Sequence, residues 1–192
     1  MPHLMIDIEA LGKDADSVIL TIGAQIFDPS PHVVGWIKDP IYDKISDTHI
    51  PSWLNIRVDV DSQVDRWGRR IDGGTLDWWG KQSPEAIEEA LGESDRVPLE
   101  DALDKLMRLA YLCKAIWSKG PLYDIVMLEH AMNQTKRRIP WKFWEIRDAR
   151  TVYSLCPGLD TKLNGHIAVD DCRNQIVLLQ EAFRLLNVGV VK

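Results

Sequence analysis

Two acids in an otherwise apolar strand restrict what this chain can become. Residues 3 to 12, "HLMIDIEALG", read as a buried strand, because Leu4, Met5, Ile6 and Ile8 leave neither face of a pleat clearly polar. Asp7 and Glu9 stand two apart, so both carboxylates project from the same face. A buried unpaired charge is costly, and two like charges in contact cost more unless a cation neutralises them or one keeps its proton. Other parts of the chain must compensate the pair.

A length of 192 residues, 45% of them hydrophobic, suits one domain spanning 1–192 with a sizeable core. The formal charge of −6 argues against a protein that grips long duplexes through a broad basic surface, though not against a small substrate pocket. Cys113, Cys156 and Cys172 are odd in number, lack C-x-x-C spacing and follow no apolar leader, which predicts free thiols in a reducing cytoplasm. No apolar run reaches the length of a membrane span. Most of the eight tryptophans are expected in the core or between helices, with a minority free to stack on bases.

After the first strand, "SVILTIGAQIFD" (17 to 28) predicts a second, and "NIRVDVDSQ" (55 to 63) alternates like a third, with Ile56, Val58 and Val60 on one side. These three suggest a meander. The segment between the second and third is rich in Pro, Asp and Ser and reads as a long loop or insertion able to cover a site. "GTLDWWGKQSPEAIEEALG" predicts a short helix capped by Thr75, then another with Ser83 at the cap and Pro84 in its first turn. "PLEDALDKLMRLAYLCK" sets Leu99, Ala102, Leu103, Leu106, Leu109 and Ala110 on one helical stripe. Strand and helix then alternate through "KAIWSKG", "YDIVMLEHAMNQ" and "WEIRDART", before a last helix from about Asp170 to Leu186. The order predicts an α/β fold, a mixed central sheet flanked by helices.

The same face test finds more inward acids. Asp124 opens a helix after a strand and shares its side with Met127, Leu128, Ala131 and Met132; taken alone, it reads as a helix N-cap. In the last helix Asp170 aligns with Arg173, Asn174, Glu181 and Arg184, a solvated face, whereas Asp171 aligns with Leu178, Ala182 and Leu185. Five residues before Asp171 stands His166, on a loop after "NG". Four inward carboxylates make a hard oxygen cluster suited to Mg²⁺ or Mn²⁺, while zinc would ask for paired His or Cys. Such a centre serves two-metal phosphoryl chemistry, and a titratable His beside it can take a proton from the attacking water.

D-x-E in the first strand, Asp124 after a strand and "HIAVDD" as H-x-x-x-x-D together resemble the DEDD 3′-to-5′ exonucleases, in the branch with His as general base. "MIDIEALG", "TLDWWGKQSPEA" and "RDART" are similar, more specifically, to phage-encoded DexA-type exodeoxyribonucleases. The resemblance covers nearly the whole chain. It implies a ribonuclease H-like sheet, two divalent metals held by Asp7, Glu9, Asp124 and Asp171, His166 as base, and release of nucleoside 5′-monophosphates from single-stranded 3′ ends. DNA is favoured over RNA through the DexA-type likeness alone, and a phage-encoded member would work in the host cytoplasm. The family usually reads D-x-E-T, with the Thr helping to seat the terminal nucleotide; here that position is Ala10, which leaves its backbone N–H.

Other candidates carry two readings each. Trp78 and Trp79 either stack on bases or pack between helices; adjacent helical residues lie about 100° apart, so one of them is expected to pack and the other stays open. Arg147 and Arg150 either hold phosphates or are surface cations around an Asp148 cap. His3, His32, His49 and His130 show no ligand spacing, and "KRR" at 136 to 138 reads as a solvated helix end. Two other functions fit the sequence: an exoribonuclease with the same site, and a nucleic-acid-binding or partner-blocking module without useful catalysis. Monomer and dimer are both open.

Overall fold

The computed structural model describes residues 2–30, 32–44, 46–161 and 165–188. Its centre is β1 (His3–Ala10), paired antiparallel with β2 (Ile19–Phe27). Two short strands, β3 (Ile41–Asp43) and β4 (Thr48–Ile50), form a separate hairpin, and β5 (Trp53–Arg57) joins β2 antiparallel. On the other side of β1 lie β6 (Ile116–Ser118) and β7 (Ile146–Asp148), both parallel to it. The five-stranded order is β5-β2-β1-β6-β7. It is the expected mixed sheet, with the early strands as a meander interrupted by the hairpin.

Helices α1 (Val60–Trp67), α2 (Gly73–Trp79), α3 (Pro84–Leu91) and α4 (Leu99–Ala110) follow β5; α5 (Asp124–Gln134) follows β6; α6 (Ala149–Ser154) and α7 (Ala168–Leu185) close the fold. Alternation along β1 divides the core. Leu4, Ile6, Ile8 and Ala10 pack with the stripes of α4 and α5, while Met5 joins Trp117, Tyr153, Ile176 and Phe183 beneath α6 and α7. Asp7 and Glu9 continue the Met5 side, so they sit under α7.

Gly23 explains how close α7 comes. It is paired with Asp7 across β1 and β2, and a Cβ there would lie 2.3 Å from the backbone carbon of Ala168. The bare position lets the first turn of α7 rest on the sheet beside Asp7.

Several expectations change. The alternation in 55–63 does not continue as a strand: β5 ends at Arg57, Asp59 accepts a hydrogen bond from Ser62 N–H, and Val60 begins α1. Val–Asp–Val suits a strand and a capped helix start alike, and the cap decides. The cap of α2 is Asp72 rather than Thr75, whose N–H and hydroxyl both donate to it. Ser83 caps α3 as expected. α7 starts two residues earlier than expected, at Ala168. The 29–53 insertion carries the β3–β4 hairpin, which is tied to α4 by Arg108 and Asp43 at 3.1 Å. It braces the α4 side, and among the described residues none from it lines the cleft at the end of β1. Trp79, Trp117 and Trp141 are buried, and Trp36 and Trp67 partly so.

Candidate active site

The carboxyl ends of β1, β6 and β7 meet the starts of α5 and α7 in an open cleft of about 680 Å³. Parallel pairing of β1 with β6 is confined to Leu4 and Met5, so the Ile8 N–H has no strand partner on that side. Asp124 supplies one: its Oδ1 accepts the Ile8 N–H at 3.2 Å, between the two acids of β1. The N-cap of α5 is Tyr123, so the capping role that Asp124 alone would suggest does not hold; it stands in the first turn with its carboxylate turned to the strand.

α7 contributes from the opposite wall. Asp171 is 7% exposed, and its Oδ2 accepts the His166 backbone N–H at 3.1 Å. Its Oδ1 is buried with no hydrogen-bond partner among the described residues. One turn later Gln175 donates from Nε2 to Asp7 at 2.8 Å. Asp170 points away and pairs with Arg173 at 3.0 Å. The cleft thus brings together Asp7, Glu9, Asp124, Asp171 and His166, and the His166 Nδ1 lies 3.9 Å from Glu9.

Without a cation, burial and mutual repulsion push all four acids toward the protonated form. Burial first, then the charges of Asp124, Glu9 and Asp171, lift Asp7 well above the carboxylate range. Glu9 is pushed up to about 8 by burial and by Asp171 and Asp124. Asp124 is raised to about 7 by burial, against the pull of the Ile8 N–H. Asp171 is raised by burial and held back by His166. An orphaned buried oxygen and converging carboxylates are what a divalent cation fits. Glu9, His166 and Asp171 each offer a ligand atom within 4.8 Å of the others.

The rim is basic and aromatic. Lys13, Lys119 and Arg150 line the cleft, and Arg150 donates to the Lys119 carbonyl at 3.1 Å. Arg147 does not line it: its guanidinium donates to the Trp144 and Ile146 carbonyls, so a phosphate role there is unsupported. Asp148 caps α6 as expected. An adjoining hollow is walled by Ala10, Trp78, Trp79, Tyr123 and His166. The two tryptophans separate as the 100° argument requires: Trp79 is 1% exposed and donates to the Ala10 carbonyl at 3.1 Å, whereas Trp78 is 42% exposed.

Sequence reasoning missed Gln175, although it lies four residues after Asp171 and so on the same helical face. It also missed Lys119 and Tyr123, whose positions beside β6 and Asp124 were the available signal.

Residues 2–183 match the model of the 3′-5′ exoribonuclease Rv2179c-like domain. The chain belongs to that family. It is therefore an exonuclease of the DEDD type, a class that generally uses divalent metals. An exodeoxyribonuclease of Enterobacteria phage T4 is 24% identical over 215 residues, covering 96% of this chain and 90% of that protein. The zinc-bound E. coli exonuclease I–ssDNA complex has the same fold with a TM-score of 0.66 and 13% identity, over 97% of this chain. This chain spans only 42% of that one. The nuclease domain of 3′hExo, a DEDDh member bound to rAMP, matches with a TM-score of 0.55 and 11% identity, over 98% of this chain and 93% of its own. The sheet is thus the ribonuclease H-like one expected. Among the described residues no helix is long and apolar enough to cross a membrane.

Proposed function

We propose that this chain removes nucleoside 5′-monophosphates one at a time from the 3′ end of single-stranded DNA, with Asp7, Glu9, Asp124 and Asp171 holding two Mg²⁺ or Mn²⁺ and His166 as general base. The observation that carries the reading is the convergence of four inward carboxylates in one cleft, one of them with an orphaned oxygen, with an imidazole at their edge. When bound, the ions polarise the phosphate, favour hydroxide and stabilise the leaving oxygen. His166 accepts the proton of the attacking water as the new P–O bond forms and the bond to the 3′ oxygen of the preceding sugar breaks. Gln175 fixes the Asp7 carboxylate, and the Ile8 N–H fixes that of Asp124. Lys13, Lys119 and Arg150 steer the phosphate backbone of a strand end into the cleft.

DNA is favoured by the full-length likeness to an exodeoxyribonuclease; the family description, an exoribonuclease domain, supports RNA as the second reading. Matched DNA and RNA single strands, labelled at either end, test both. A 3′ label should leave at once as mononucleotide while a 5′-labelled strand shortens stepwise, with Mg²⁺ or Mn²⁺ and not with chelator. Release from the 5′ end or internal cutting would refute the reading, and faster RNA digestion would reverse the substrate choice.

A further inference from the structure

The imidazole of His166 is placed more by aromatic contact than by hydrogen bonds. Its backbone lies in the left-handed region, with φ of 52°, which costs a residue with a Cβ and is kept only where surroundings impose it. Its backbone N–H is bound to Asp171, but the nearest ionic partner of the ring, Glu9, is 3.9 Å away, beyond hydrogen-bond length. What touches the ring is Trp78, edge to face with centroids 5.0 Å apart at 86°, and Trp79 at 6.1 Å and 75°. The two indoles also meet edge to face, at 5.2 Å and 77°.

This three-ring cluster has a fixed end. Trp79 is buried, and its N–H is tied to the Ala10 carbonyl at the irregularity where β1 leaves Glu9. The cap residue of α2 is itself anchored just past the end of β1, where the Asp72 N–H donates to the Leu11 carbonyl at 2.7 Å. From strand to Trp79 to Trp78 to imidazole, the chain of contacts begins beside Glu9 and ends at the residue facing it.

We propose that Trp78 is a positioning residue for His166, holding the imidazole over Glu9 and Asp171 so that α2 sets the geometry of proton acceptance. This rests on the reading of His166 as base. Stacking on a nucleobase is the competing role for Trp78; it would make the residue a binding group, felt in KM. A positioning group is felt in kcat, because misplacing the base leaves ground-state binding alone.

Kinetics on single-stranded DNA with Mn²⁺ would compare the wild type with Trp78→Ala, Trp78→Phe, His166→Ala and the Trp78→Ala/His166→Ala double variant. Trp78→Ala should lower kcat by roughly 10-fold, between the worth of one edge-to-face contact and an ångström-scale misplacement, with KM little changed. Trp78→Phe should restore most of it. The double variant should be no slower than His166→Ala alone, since Trp78 acts through the imidazole. The His166 ring-proton NMR resonance should move in Trp78→Ala as the ring current is lost. Trp78→Leu keeps bulk without a π-face and should behave like Ala; it answers if the Ala variant fails to fold. A raised KM at unchanged kcat, or losses that add in the double variant, would overturn the proposal alone. A His166→Ala enzyme at wild-type rate would overturn the base reading and this proposal with it.

Discussion

Helices α4 and α7 pack on opposite faces of one sheet, and they treat their acids differently. Every buried residue of α4 is apolar, and two of its acids are paired with arginine: Glu100 with Arg66 at 2.7 Å, Asp104 with Arg137 at 2.6 Å. α7 buries Asp171, Gln175 and Gln180 among Cys172, Ile176 and Leu179. Gln180 is satisfied by the Asp28 and Gly35 carbonyls, and Gln175 serves Asp7. Asp171 keeps an oxygen with no hydrogen-bond partner among the described residues, with only His166 and Lys119 drawing its charge out. One helix is built to stabilise; the other accepts a cost at its first turn to present a carboxylate to the cleft. The position where the apolar stripe is broken and left uncompensated is where the chemistry lies.

The contrast can be broken by substitutions that affect one property only. His166→Ala, at the entrance to α7, should lose about 10²–10⁴-fold in rate, the usual worth of a general base, with Mg²⁺ or Mn²⁺ binding and Tm nearly unchanged. Steady-state rates beside a metal titration check it; loss of metal binding would make His166 a ligand instead. The converse test is Leu103→Ala, at a fully buried α4 position, which should cost about 2–5 kcal/mol of stability and leave kcat intact. Urea unfolding and digestion rates separate the two effects.

The acids should also give the metal-free protein an inverted pH response. Glu9 near 8 and Asp124 near 7 lie above their unfolded values of 4.5 and 3.8, so the folded state holds extra protons in between. Stability from these groups is fully present below the unfolded values and is lost as pH rises through the folded ones. His3, lowered from 6.5 to about 4, gives the opposite slope over that lower range, so the window from 6.5 to about 8 isolates the acids. In chelator Tm should fall across that window, and saturating Mg²⁺ should flatten the fall. Glu9→Gln should weaken it, whereas a Tm that rises across the window without metal would show the acids already compensated. The smallest effect is Asp170→Ala. This half-exposed first-turn acid should cost about 0.3–1 kcal/mol, measured by thermal melting, with most activity kept.

Much of this was legible in the sequence where a period decides. The α4 stripe of Leu99, Ala102, Leu103, Leu106, Leu109 and Ala110 is the buried set of that helix, because 3.6-residue spacing leaves no second choice. The same rule separated Asp171 from Asp170 and turned Asp124 inward. It failed at 58–60, where Val–Asp–Val fits a strand and a capped helix equally and only the Asp59 cap distinguishes them. Arg147 and Arg150 could not be told apart, since the end of β7 lies between them and sends one guanidinium to local carbonyls and the other to the cleft. The meeting of Trp78 with His166 is a tertiary contact across nearly half of the chain, and no local pattern encodes it.

The central claim, that the uncompensated acid of α7 holds the reaction's metal, is tested most directly by Mn²⁺-dependent release of mononucleotide from single-stranded DNA by Asp171→Ala and Asp170→Ala side by side. Asp171→Ala should fall by at least about 10³-fold, as expected when several kcal/mol of metal-borne charge stabilisation are lost, while melting as well as or better than the wild type in chelator. Asp170→Ala should digest nearly as fast as the wild type. An active Asp171→Ala beside a dead Asp170→Ala would contradict the account.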